Sequence, residues 1–235
     1  MGRVFEKRKY KMFARYDRMA KGFTKLGKEI AIAVKLGGPD PDGNPRLRAA
    51  MATAKGINMP KDRIEAAIHR ASTKSEKEME EVVYEGYAPY GVGILVECAT
   101  DNTTRTVANV RMYFNRAEGE LGKTGSLSFL FERKSVFKIE NKNVNLEDLE
   151  LELIDEGLEE IEIVDNEVYI TTSFNDFGLM QKALETRKFN VLSAEKERFA
   201  TSFKEVTEAQ QEEIIKMIDK MEEDDDVMAV YHNMK

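Results

Sequence analysis

The sequence predicts an α+β fold: an N-terminal three-helix domain followed by two small α/β sandwich domains, the second inserted into the first. Three observations lead there. Up to Thr73 apolar residues recur every three to four positions, the spacing of one helix face. From Val82 onward they alternate or cluster in short runs bounded by Gly, Pro, Asn and Asp, with helical stretches between them. The charge changes sign at the same boundary. Residues 1–74 carry 18 Lys and Arg against seven Asp and Glu, a balance of +11. The remaining residues carry 18 against 36, or −18, which leaves −7 for the chain of 235 residues. The segments expected are 1–74, then 78–140 joined by 204–235, with 141–203 inserted.

The first helix is read from the stripe Met12/Phe13, Tyr16, Met19/Ala20, Phe23, Leu26, Ile30 and Ala33/Val34. Gly22 and Gly27 weaken it, and Leu36-Gly37-Gly38-Pro39 stops it, Gly supplying positive φ and Pro refusing to continue. Asn44 is a good N-cap and Pro45 suits the first helical position, where its missing N–H is not needed. The second helix runs from about Pro45 to Lys55 and turns Leu47, Ala50, Met51 and Ala54 inward, with Gly56 ending it. Asn58 or Met59 is expected to cap a third helix that starts at Pro60, where Asp62 meets the positive end of the dipole. Its buried face is Ile64, Ala67, Ile68 and Ala71, and residues 72–77 form a polar linker.

Residues 83–87 and 92–98 read as strands joined across Pro89-Tyr90-Gly91, followed by a helix from Asp101-Asn102-Thr103-Thr104 to about Arg116 and a strand over 126–139. A helix over 146–156, a hairpin 161–164/168–172 across Asp165-Asn166, a helix over 175–187 and a strand within 190–203 come next. A helix over 207–221 and a closing strand over 227–234 end the chain. These orders give ββαβ, then αββαβ, then αβ, and the last pair completes the first sandwich.

Composition excludes several classes. No apolar run approaches the ~20 residues that span a bilayer, and the basic N-terminus lacks the apolar core of a secretory signal. Cys98 is the only cysteine, so an internal disulfide and a thiolate metal cluster are both impossible; a reducing compartment, the cytoplasm, is expected. His69 and His232 fall in different segments, and no nucleophile–base pair can be assembled, so the chain is read as no enzyme and as needing no cofactor.

The candidate functional residues are basic. Arg8, Lys11, Arg15, Arg18, Lys25 and Lys28 recur one position before the apolar stripe, roughly 100° around the helix from it. Arg46, Arg48, Lys55, Lys61 and Arg63 extend the positive charge over the next two helices. Most charge stripes are solvated faces, but here Glu6, Asp17 and Glu29 are too few to neutralise the stripe. Lys and Arg on phosphates release counterions, so binding must fall with salt. The acidic remainder repels a polyanion, so contact is expected to be confined to residues 1–74. Tyr10, Phe13 and Tyr16 could stack on unpaired bases, although their periodicity favours the core for Phe13 and Tyr16.

Other motifs carry less. Asp40-x-Asp42-x-Asn44 starts like a calcium loop but has Pro45 at the sixth position and Met51 at the twelfth, which rules out an EF-hand. Residues 117–124 loosely match a phosphate loop, yet they follow a helix and open a strand, the reverse of what that loop needs. Asp101, Asn102 and Arg105 sit at a strand-to-helix junction and are read mainly as a cap. Cys98 is expected to be buried, and Glu222–Asp226 to be a solvated turn.

The stretches KLGGPDPDGNPRLR, NMPKDRIEAAI, YEGYAPYGVGILVE and TDNTTRTVANVR, in that order and spacing, resemble the YebC/PmpR family. The resemblance covers nearly the whole chain and is tightest from Phe23 to Arg111. It implies a helical N-terminal domain and two α/β domains. It implies one of two roles: a transcriptional regulator that binds promoter DNA, or, as for relatives in mitochondria and bacteria, a translation factor that relieves stalls at the ribosome. The partner implied is therefore DNA or ribosomal RNA, held through residues 1–74, with no membrane. The family's usual Gly-His-Ser-Lys-Trp start is replaced here by Met1-Gly2-Arg3-Val4-Phe5, so nothing that depends on that His and Trp carries over.

Overall fold

The computed structural model describes residues 19–73, 79–141 and 145–235, with side chains from residue 22 onward in the first stretch. In chain order the helices are α1 (Met19–Gly37), α2 (Pro45–Gly56), α3 (Lys61–Ser72), α4 (Thr103–Arg116), α5 (Leu146–Leu153), α6 (Phe177–Thr186) and α7 (Glu208–Glu222). The strands are β1 (Glu80–Ala88), β2 (Val92–Thr100), β3 (Glu120–Leu121), β4 (Phe131–Glu140), β5 (Leu158–Val164), β6 (Glu167–Ser173), β7 (Val191–Ala200) and β8 (Val227–His232). The fold is α+β: three N-terminal helices, then two small antiparallel sheets ordered β3-β1-β2-β8 and β5-β6-β4-β7. The chain divides into two compact units, the N-terminal helices with Arg133–Glu197, and Glu76–Glu132 with Arg198–Lys235.

In the first unit, α1 runs unbroken through Gly22 and Gly27. It stops where Gly38 takes φ +85° and donates its N–H to Val34 O at 2.8 Å. Gly37 makes room instead: a Cβ there would fall 2.7 Å from Asn44 Nδ2. Asn44 is buried and bonded on every side. Its Oδ1 accepts the Leu47 N–H at 3.0 Å, capping α2, while Nδ2 donates to Ala33 O at 2.7 Å and Gly38 O at 2.9 Å. The Gly/Pro/Asp elbow is thus a joint that locks the end of α1 to the start of α2.

At the other end of α2 the expectation shifts by one element. Asn58 adopts φ +59°, its N–H donates to Lys55 O at 2.9 Å and the Met59 N–H to Ala54 O at 2.8 Å. Asn58 therefore closes α2 and does not cap α3, because Asn tolerates the left-handed conformation that a helix exit needs. α3 begins after Pro60 with no side-chain cap, and Asp62 stands in its first turn. Ile30, Ala33, Val34, Leu47, Ala50, Ala54, Ile64, Ala67 and Ala71 fill the space between the three helices.

The strand expected over 126–139 was assigned from its sequence to the first sandwich; as β4 it lies in the second sheet, between β6 and β7. It pairs with β6 from Lys134↔Ser173 to Glu140↔Glu167. Phe137 and Ile139 of β4 join Val168 and Ile170 of β6 beneath Leu149 and Leu153 of α5 and Phe177, Met180 and Leu184 of α6. Alternation shows which side chains turn inward but not which sheet receives them. The β5–β6 hairpin turns across Asp165 and Asn166, both at positive φ, as a two-residue turn requires. Ala49 of α2 joins this core, and the Ala194 N–H donates to Thr53 Oγ1 at 3.2 Å.

In the second unit, β2 pairs with β1 along its whole length, and on its other side with β8. Ile94, Val96 and Cys98 face α4 and α7 with Val110, Phe114, Ile214 and Met221. Leu95 faces the other way, against Phe131 and Tyr231. Burial on both faces explains why β2 reads as a continuous apolar run. β8 is the outer strand of this sheet, and α7 packs on its face through Ile214, Met217 and Met221. The two-residue β3, opposite Gly86 and Tyr87, had no signal of its own.

Candidate nucleic-acid interface

Arg8, Lys11, Arg15 and Arg18 lie outside the described residues, as do Tyr10, Phe13 and Tyr16. The other sequence-selected residues fall into two groups. Arg46 and Arg48 have protein partners: Arg46 forms a two-toothed pair with Glu29 (Nε–Oε1 2.8 Å, Nη2–Oε2 3.0 Å). Arg48 donates Nε to Glu185 Oε1 at 2.9 Å and Nη1 to Pro41 O and Asp42 O at 2.8 and 2.9 Å. These arginines brace α1 and the elbow, the geometry a planar guanidinium satisfies better than an ammonium.

The second group gathers at the α2–α3 corner. Lys55 is exposed at the end of α2, and Lys61 and Arg63 are exposed in the first turn of α3. Lys61 pairs only loosely with Glu65, at 3.4 Å. The Arg63 guanidinium lies 5.9 Å from the Phe23 ring centre of α1. That stack orients the arginine while leaving its N–H groups at the surface. Lys25 and Lys28 are half-buried on α1. The arrangement can grip phosphates. It offers little base reading: the outward residues of α3 are Lys61, Asp62, Arg63, Glu65, Ala66, His69, Arg70 and Ser72, of mixed character.

The weaker motifs resolve into structure. Asn44 is taken up by the α1–α2 joint, and the Asp42 N–H closes a turn on Asp40 Oδ1 at 3.0 Å. In the loop after β3 the backbone N–H groups of Gly122, Gly125 and Leu127 are already occupied. Glu85, buried in β1, accepts from Gly125 N at 2.8 Å and Leu127 N at 2.5 Å, and its carbonyl takes the Gly122 N–H at 2.7 Å. Cys98 is buried. Among the described residues no group of three or more His, Cys, Asp or Glu is placed to hold a metal ion, and no helix is long and apolar enough to cross a membrane.

The acidic run 222–226 departs from its expected role. Asp225 is exposed, but Asp226 is buried, and its Oδ2 lies 3.0 Å from Thr106 Oγ1 and 3.2 Å from Thr100 Oγ1. It also takes Arg105 Nε at 3.2 Å and Nη2 at 2.5 Å, while Asp101 Oδ1 takes Nη2 at 2.9 Å. Hydrogen bonding to Asp226 first, and then to Asp101, pushes the Arg105 guanidinium further up. Asp224 Oδ2 receives Asn109 Nδ2 at 3.0 Å and the Tyr113 hydroxyl at 3.2 Å. Asn102 is the N-cap of α4, its Oδ1 accepting the Arg105 N–H at 3.0 Å. The run is therefore a clamp on α4. Its sequence signal is weak, because five consecutive acids before an apolar strand look the same whether solvated or partly buried.

Residues 3–74 match a family profile described as the TACO1/YebC protein N-terminal domain, and residues 79–234 match the TACO1/YebC second and third domain. A Cytophaga hutchinsonii protein named "Probable transcriptional regulatory protein" is 60% identical over 234 residues, covering 100% of this chain and 98% of that one. A Parabacteroides distasonis protein of the same name is 55% identical over 236 residues, covering 100% and 97%. The crystal structure of a conserved hypothetical protein from Aquifex aeolicus superposes with a TM-score of 0.81 at 36% identity, covering 94% of this chain and 93% of that one. With both profiles matched along nearly its full length, the chain belongs to the TACO1/YebC family.

Proposed function

We propose that this chain is a nucleic-acid-binding regulator of gene expression in the cytoplasm, of the DNA-binding transcriptional kind that its relatives' names describe. The observation that carries the reading is the charge division: +11 over residues 1–74 against −18 over the rest. It is sharpened by Lys55, Lys61 and Arg63 gathered on one corner of the helices. Binding is to the sugar–phosphate backbone, steered by charge and steep in salt. The protein regulates by occupancy and catalyses nothing.

A second reading, a ribosome-associated factor that binds ribosomal RNA and relieves stalling, is favoured by the mixed outward face of α3. Without an array of Asn, Gln and Arg aimed at base edges, backbone and shape recognition suit folded RNA as well as duplex DNA. Two variants test both readings: Arg8, Lys11, Arg15 and Arg18 all changed to Glu, and Lys55→Glu with Arg63→Glu. Each should lose binding to labelled duplex DNA or to a ribosomal RNA hairpin while unfolding as the parent does. Unchanged affinity at moderate salt would refute the basic-helix interface. Sedimentation of cell lysate through sucrose at low and moderate salt separates the two targets. Co-migration with ribosomes that survives moderate salt and is lost in the four-Glu variant selects translation; protein staying at the top, with promoter fragments preferred over unrelated competitor, selects transcription.

A further inference from the structure

α4 has three sides. Thr106, Val110 and Phe114 are buried, and Arg105, Asn109 and Tyr113 reach the clamp made by Asp224 and Asp226. The third side is open: Ala108, Arg111, Met112, Asn115 and Arg116 line a shallow recess of about 410 Å³. At ~100° per residue these five span an arc of roughly 140°, with Arg111 and Arg116 at its two edges and Asn115, Ala108 and Met112 between them. Among the described residues neither Arg111 nor Arg116 has a carboxylate partner, whereas Arg105 on the same helix is held by two. Two uncommitted arginines are notable in the acidic part of the chain, where 36 acids outnumber 18 bases.

We infer that this face of α4 is a second nucleic-acid contact, outside residues 1–74, in which Arg111 and Arg116 each take a backbone phosphate. Guanidinium forks match phosphate oxygens in pairs. Met112 and Ala108 between them offer an apolar floor for a sugar or a base face, and Asn115 an amide for a sugar hydroxyl or base edge. The charge of the site selects a polyanion. The inference rests on the proposed nucleic-acid function and deepens it: the acidic body is repelled in bulk, but this helix face is an exception that the summed charge conceals.

The test is fluorescence anisotropy of the full chain with a labelled duplex DNA and, separately, a labelled ribosomal RNA hairpin across a salt series. Variants are Arg111→Glu with Arg116→Glu, the milder Arg111→Gln with Arg116→Gln, and Lys55→Glu with Arg63→Glu. Losing two phosphate contacts should weaken binding roughly tenfold or more at low salt and flatten the salt slope by nearly two on duplex DNA, and by about 1.4 to nearly two on the RNA hairpin, according to whether loop or stem is contacted. The arm with the larger loss identifies DNA or RNA as the ligand at this face. Both α4 variants should unfold at the parent's midpoint, since these side chains point to solvent. Binding that is lost with Lys55 and Arg63 but untouched by both α4 variants overturns this inference and leaves the proposed function standing. A parent chain that binds neither probe at any salt overturns both.

Discussion

Replacing Asn44 by Ala should destabilise the first unit by about 3 kcal/mol, far more than a lost helix cap alone. The cap bond to the Leu47 N–H accounts for about 1 kcal/mol. The two bonds from Nδ2 to Ala33 O and Gly38 O contribute about 1 kcal/mol each, since both acceptors lie at a helix end enclosed by the joint. For a chain of this size that lowers the midpoint of thermal unfolding by roughly 6–12 °C. Asn44→Asp is the discriminating variant. Asp and Asn cap helices about equally well, but a carboxylate would face two carbonyl oxygens that need a donor, so Asn44→Asp should be at least as damaging as Asn44→Ala. Gly37→Ala should also destabilise in the parent, where its Cβ would crowd Asn44 at 2.7 Å, but cost little once Asn44 is Ala. Circular dichroism melts and urea titrations of the parent and the four variants measure all of this. If Asn44→Asp melts with the parent, Asn44 is an ordinary N-cap and the joint has no energetic reality.

Glu85→Ala strips the acceptor from the Gly125 and Leu127 N–H groups; it should cost roughly 3–5 kcal/mol and speed amide exchange at those two residues ahead of global unfolding. Asp226→Asn should lower the unfolding midpoint well below that of Asp225→Asn, its exposed neighbour, because only Asp226 is bonded to Thr100, Arg105 and Thr106. Burial raises the Tyr84 and Tyr113 hydroxyls above their ordinary 10.0, with Asp224 adding to the second. Their neutral forms therefore stabilise the fold fully below pH 10, and that contribution is lost as pH rises through the folded values, because the unfolded chain gives up these protons first. Urea titrations across this range should show a steeper alkaline loss in the parent than in Tyr84→Phe with Tyr113→Phe; equal slopes would contradict the assignment.

The elements were legible where one residue does one local job. Asn44-Pro45 announced the start of α2, Asp165-Asn166 the β5–β6 turn, and the apolar run at 92–98 a strand. What the sequence hid was long-range partnership. β4 looks the same whether its neighbour is β2 or β6, since pairing is decided by Phe137 and Ile139 meeting Ile170 and Val168 far along the chain. Asn58 was ambiguous for a different reason: between two helices the same residue can open one or close the other, and only its φ of +59° decides.

Charge is the case where counting misleads most. The +11 of the N-terminal segment and the −18 of the rest treat every ion as available, but an ion bonded inside the fold has little left to offer a ligand. Arg46 and Arg48 are spent on Glu29, Glu185 and the elbow carbonyls, so the corner at Lys55, Lys61 and Arg63 carries more of the proposed interface than its share of the count. The same subtraction works in reverse on α4. Asp226 is neutralised by Arg105, which removes one acid from the field that would repel a phosphate at Arg111 and Arg116, while Asp224, bonded to the neutral Asn109 and Tyr113, keeps its charge. What a polyanion meets is the set of charges left over after folding. On the proposed reading, Arg111 and Arg116 are such leftover charges within the acidic half.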